Sequence, residues 1–153
     1  MGFLDKLKGA VNAVTGGAAT VTMQYQPQMG MPGQPIQVQI VATSTGAEVK
    51  SQGIFVDLRG TEYVHIKAGV AGVSSEVRVS ATTLEQSFQV APAFVLPAGQ
   101  SMTFEGGFQI PPHCMPTYEG PYAEHSWEIR GRVEAFGNDP DTGFMPFMIG
   151  RAA

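Results

Sequence analysis

His113 and Cys114 stand side by side, with His65 and His125 far off in the chain, and imidazole plus thiolate is the donor set of a zinc site. Zinc needs its donors to converge on one ion. Neighbouring residues on an extended segment point to opposite sides, so His113 and Cys114 do not chelate together. Met29-Gly30-Met31, with Met23 nearby, offers thioethers of the kind that hold Cu(I). One Met-x-Met in a glycine loop is a thin donor set, and flexible methionines serve more often as loop anchors or contact residues. Met29 and Met31 are therefore expected to touch a partner. The tract NDPDTG at 138–143 carries oxygens that suit Ca²⁺, yet Pro140 stands where a calcium loop places a ligand. It reads as a hairpin turn.

Nucleophilic catalysis finds no frame either. No Gly-x-Ser-x-Gly is present, and Cys114 sits in a proline corner with no helix N-terminus to lower its pKa. Glu124, His125 and Glu128 share one predicted strand, where alternation turns His125 away from both carboxylates. Glycines at 16–17, 69–72 and 106–107 lack the strand-then-helix setting of a phosphate cradle. They read as a helix stop, turns and a bulge. The expectation is a non-enzymatic protein with no catalytic residue, no metal and no cofactor.

Composition narrows the partners. The net charge is −4, and the nine Lys and Arg are scattered, without the basic stripe that nucleic acid requires. Charged residues make up 14% of the chain, below the roughly 25% of a typical domain, and glutamine, serine and threonine supply the polarity. Such a surface repels copies of itself weakly, which favours self-association or a sizeable protein interface. The same composition suits an ordinary β-sandwich surface. With 153 residues, 43% of them hydrophobic, the chain holds one domain that needs no disulfide to keep a core. Cys114 is the single cysteine, in keeping with a reducing cytoplasm. No run approaches the ~20 apolar residues of a membrane span, and Lys6 and Lys8 follow Phe3 and Leu4 in an order foreign to a secretory signal. A cytoplasmic protein, peripheral to a membrane at most, is expected.

The elements that would carry these residues are mostly strands. Leu4, Leu7, Val11 and Val14 fall at helical spacing, with Asp5, Lys6, Lys8 and Asn12 mostly off that stripe, and Gly16-Gly17 ends the pattern. The spacing predicts an amphipathic helix over 2–14, in an N-terminal unit of residues 1–17. Phe3, Leu4, Leu7, Val11 and Val14 would cover the chain's own sandwich, a partner or neighbouring copy, or a membrane interface. From residue 18 to 153 a single all-β domain is expected. Val21, Met23 and Tyr25 alternate in a first strand, and Ile36, Val38, Ile40 and Ala42 in a second. Residues 49–58 and 63–66 read as separate strands, as do the stretches around Val77 and Val79 and around Phe88 and Val90. PAFVLPAGQ reads as a loop. The strand Met102, Phe104, Gly106, Phe108, Ile110 then meets Pro111 and Pro112, which remove two backbone donors. After the corner come Trp127, Ile129, Gly131, Val133 and Ala135 on one face, and a last strand over 144–149. Eight or nine short strands with regular turns make an antiparallel, immunoglobulin-like β-sandwich.

Three segments carry a family resemblance. QPIQVQIVATS, VKSQGIFVDLRGTEYV and, most strongly, FEGGFQIPPHCMPTYEGPYAEHSWEIRGRVE resemble the N-terminal-type domain of the arrestin-like superfamily. Pro111, Pro116, Thr117, Tyr118, Gly120, Trp127 and Ile129 follow that family's corner order, and MGFLDKLKGAV is similar to the N-terminus of its bacterial sporulation-control members. The likeness covers about residues 19–150, one sandwich where arrestins carry two, so the functions of a two-domain cup are not implied. What the resemblance implies is adaptor work between proteins, often at a membrane, without catalysis. The alternative is a self-assembling structural subunit that uses the helix and its sheet edges to form a ring, filament or shell.

Overall fold

The computed structural model describes residues 14–15 and 18–151. The expected helix lies outside those residues except for its last member. Val14 is extended and pairs with Val21, so β-branched Val14 and Thr15 add a short strand to the sheet where a last helical turn was expected. The described residues form β1 (Val14–Thr15), β2 (Ala19–Gln26), β3 (Met29–Gly30), β4 (Pro35–Ser44), β5 (Val49–Ile66), β6 (Val77–Ala91), β7 (Phe94–Leu96), β8 (Ser101–Gln109), β9 (Tyr118–Glu119), β10 (Ala123–Ala135) and β11 (Met145–Ile149). One sheet runs β1-β2-β4-β8. The other runs β3-β11-β10-β5-β6, with β7 on β5 and β9 on β10.

Period-two patterning explains what lies between them. Val21, Met23 and Tyr25 of β2 and Ile36, Val38, Ile40 and Ala42 of β4 are buried. They meet Ile54, Val56 and Leu58 of β5 and Trp127, Ile129 and Val133 of β10, buried from the other side. Each such side chain contributes roughly 1.5–3 kcal/mol relative to exposure. Two aromatic pairs join the sheets along one margin: Phe88 on Phe108 at 4.9 Å and Phe94 on Phe104 at 4.4 Å.

Two pairs of predicted strands are single strands here. Residues 49–58 and 63–66 belong to one β5, because β10 pairs with it from Ser51 to Val64. Gly60, between the two stretches, is a close-approach position: a Cβ there would stand 2.7 Å from the Trp127 ring. The stretches around Val79 and Phe88 belong to one β6, whose alternation is thrown out of phase by extra residues. Thr83 and Val90 lack partners in β5, since Gly60 pairs with Leu84, Thr61 with Thr82, Ile54 with Ala91 and Phe55 with Gln89. A period-two template breaks at each bulge and returns two strands. Within PAFVLPAGQ, Phe94–Leu96 pairs with β5 where a loop was expected.

The sheets approach closely at Gly106, where a Cβ would collide with the Val90 carbonyl oxygen at the β6 bulge and lie 3.1 Å from its Cβ. Gly106→Ala is expected to cost about 1–3 kcal/mol in urea denaturation, as overpacking does. Gly46→Ala, with nothing within 4 Å, is the control and leaves the midpoint no lower. Equal midpoints for the two variants would contradict the close approach.

Candidate functional site

The proline corner is tied to the end of the larger sheet. Trp127 is buried, and its Nε1 donates to the Met115 carbonyl at 2.8 Å. Beside it His125, 1% exposed, holds Pro116 O at 3.1 Å with Nδ1 and Thr83 Oγ1 at 2.6 Å with Nε2. A carbonyl only accepts, so Nδ1 carries a proton. Tyr118 stacks on the imidazole at 6.1 Å and donates its hydroxyl to Glu62 Oε2 at 3.0 Å, a bond that raises its own pKa. Thr117 exchanges two hydrogen bonds with Ile149, its N–H donating to the Ile149 carbonyl and its Oγ1 accepting from the Ile149 N–H. Cys114 is buried in the corner, where desolvation pushes its thiol up to about 11. A thiol held protonated is a poor nucleophile. Glu124 and Glu128 point away from His125, as alternation requires. Among the described residues no three His, Cys, Asp or Glu gather as a metal site would need.

The larger sheet continues past this corner. Register places Glu62, Val64 and Ile66 on the face that carries Leu58, opposite Ala81, Val79 and Val77 of β6. That face packs against the smaller sheet inside the sandwich, but here no described strand lies over it. Val64, Ile66 and Val77 are half-buried, and Val79 is 56% exposed. The ribbon ends in a loop with Val70 exposed, and Tyr122 lies exposed beside it, its carbonyl accepting the His65 N–H at 2.8 Å.

Met29 and Met31, expected as contact residues, lie at the same end on the opposite margin. Phe147 pairs with Trp127, so β11 runs on toward the level of His125, where Met148 pairs in parallel with Met29. Met29 and Met148 are each about half exposed, at 50% and 49%. Met31 is half-buried, and its sulfur, like that of Met29, lies against Gly150. Of the eight exposed large hydrophobics among the described residues, Met29, Val70, Val79, Met115, Tyr122 and Met148 belong to this end. Val95 and Phe136 mark the other. Sequence reading missed Val79, Tyr122 and Met148. The one local signal was a Val77, Val79 alternation with no matching apolar strand left to cover it. Phe3, Leu4, Leu7 and Val11 lie outside the described residues, and Val14 sits in β1.

Charges divide along the outer face. Under the sandwich they are paired: Arg130 and Arg132 reach Asp57 Oδ2 at 2.7 and 3.1 Å, Ser87 donates to its Oδ1 at 2.6 Å, and Arg59 holds Glu128 at 2.5 Å. The Arg59 and Arg130 guanidinium groups stack on Phe144. At the ribbon end Glu76 accepts from His65 at 2.7 Å and Arg78 at 2.9 Å, and these bonds, that of His65 foremost, lower its pKa. Glu119 and Glu124 stand directly opposite each other in the β9–β10 ladder, an unfavourable like-charge pair. Among the described residues no cation pairs with them, and Lys67 is the one cation there without a partner.

No protein-family model matches the chain, and no curated protein sequence matches it. Among solved structures its fold is similar to that of Spo0M, a sporulation control protein from Bacillus subtilis, with a TM-score of 0.61 and 19% identity. The match covers 88% of this chain and 50% of that one, so the chain spans about half the length of the protein it resembles. The likeness is one of fold, and the fold is the arrestin-like β-sandwich expected from the corner.

Asp57 yields a test of the paired region. Burial raises its pKa, but bonds from Arg132, Ser87 and Arg130 outweigh that and hold it below 3.8. A carboxyl depressed on folding contributes stability that is present above the unfolded value and lost as pH falls through the folded one. Asp57→Asn is therefore expected to cost about 1–3 kcal/mol at neutral pH, since Arg130 and Arg132 lose the carboxylate they share and keep only Asp141 and Asp139 with Glu134. That gap should narrow as pH drops below 3.8. A gap of constant size down to acid unfolding would contradict the assignment.

Proposed function

We propose that this arrestin-like sandwich is a non-enzymatic protein–protein interaction module, an adaptor or scaffold that holds its partner at the ribbon end. One observation carries the reading: exposed apolar side chains gather at that end, beside a long strand whose outer edge no described strand pairs with. An open edge with an apolar face is a hazard unless something occupies it. The inner part of β6 is blunted by its bulges, whereas residues 77–82 keep a regular register with β5. Met29, Met31 and Met148 supply adaptable apolar contacts on the other margin. That a protein of this fold is named for sporulation control agrees with a role in contact and regulation. In this reading the protein works in the cytoplasm, and the apolar residues at positions 3, 4, 7 and 11 add contacts with the partner or a membrane surface.

Self-assembly is the second reading, because a free edge also accepts a copy of itself. Photo-crosslinking in cells separates the two. A photoreactive residue replacing Val79 is expected to give a heavier adduct, and one replacing Val95, at the opposite end, none. An adduct of twice the chain's mass favours self-assembly. Adducts from neither position, or equally from both, would contradict a contact surface at the ribbon end.

A further inference from the structure

We infer that Met29, Met31 and Met148 form a binding site for a soft monovalent cation, Cu(I) or Ag(I), held by three thioether sulfurs. Met29 and Met31 alone are a thin donor set, and strand pairing supplies the third donor that spacing could not. β3 and β11 run parallel, with Met29 opposite Met148 and Gly30 opposite Ile149. The Gly150 N–H then donates to the Gly30 carbonyl at 2.8 Å. Residues opposite each other in a ladder share a face, as do residues two apart along a strand. Gly30 and Ile149 are buried, so Met29, Met31, Met148 and Gly150 stand together on the outer face. They are the corners of a patch roughly 4.8 Å across the strands and 6.6 Å along them. Three corners carry thioethers, and the fourth carries no side chain.

The bare corner matters. A Cβ on Gly150 would lie 2.8 Å from the Met31 sulfur and 3.2 Å from that of Met29, so both sulfurs fold over the same spot. Met148 joins them from the position directly opposite Met29. Methionine turns about three rotatable bonds, which lets the three sulfurs converge on one ion. Thioethers are the only heteroatoms these four side chains offer. Such a set selects Cu(I) or Ag(I) over Ca²⁺ and Mg²⁺, which take oxygen, and over Zn²⁺, which takes thiolate, imidazole or carboxylate. Met29 and Met148, each about half exposed, leave the ion a route in and out. An apolar contact needs no sulfur, so leucine at these positions separates the metal site from a contact patch.

Titrating the full chain with Ag(I), its methionine methyl groups labelled with ¹³C, tests the site. The methyl signals of Met29, Met31 and Met148 should shift together and saturate at one ion per chain, while those of Met102 and Met115 stay in place. Cys114 is a competing soft donor, but its thiol must first lose a proton held up to about 11, so a site built on it would tighten about tenfold per pH unit. Thioethers have no proton to lose, and their affinity should stay level between about pH 5 and pH 8. Met29→Leu, Met31→Leu and Met148→Leu should each weaken binding at least about tenfold, with Met115→Leu as the unaffected control. Unmoved methyl signals, equal shifts at Met102 and Met115, or undiminished binding in the leucine variants would overturn the proposal. So would Zn²⁺ moving the same three signals at equal concentration. A failed metal site leaves the contact surface at the ribbon end standing, since leucine keeps that margin apolar.

Discussion

Two stacked sheets cover each other only as far as the shorter one reaches. In this molecule β5 has 18 residues and β6 has 15, against 8 in β2 and 10 in β4. At about 3.4 Å per residue, β5 extends about 60 Å while β4 ends after about 34 Å. Everything else follows from that mismatch. Where the sheets overlap, the alternate residues of both are buried and the core forms. Where they do not, the same alternation leaves Val64, Ile66, Val77 and Val79 on a face that no described strand covers.

The proline corner marks the border between the two regimes. Trp127 lies over Gly60, and its indole N–H is satisfied by a corner carbonyl, as a buried indole must be. His125, one residue pair further along, has both ring nitrogens engaged. These bonds close the end of the core. On the outer face, the Asp57 cluster does comparable work for the covered part of the sheet, neutralising Arg130 and Arg132 across neighbouring strands. Beyond the core, Glu119 and Glu124 face each other with no ion pair among the described residues.

Most of the fold was legible because burial on one face writes itself into a strand as period two. Ile36 to Ala42 and Trp127 to Ala135 could be read directly, and the corner prolines announced the break between strands. What could not be read were features set by register across strands. The bulges at Thr83 and Val90 shift the phase of β6, so one strand looked like two. Nothing near Gly60 in the chain marks its role, because the ring that requires it arrives from Trp127, 67 positions later. The candidate site was legible only in part. Met29 and Met31 carried a compositional signal, whereas Met148 becomes their neighbour through a two-residue parallel pairing that no local pattern encodes. The exposure of Val79 depends on where the other sheet stops.

A contact surface at the ribbon end requires the β6 edge to be open in the chain by itself. Amide hydrogen exchange resolved along β6 measures this directly. With β5 bonded to one side only, amides that face β5 should be protected and those that face outward should exchange rapidly, giving alternate fast and slow positions through residues 77–82. Uniform protection along that stretch would mean that the edge is already paired, within the chain or with a copy of it, and would contradict a surface held open for a partner.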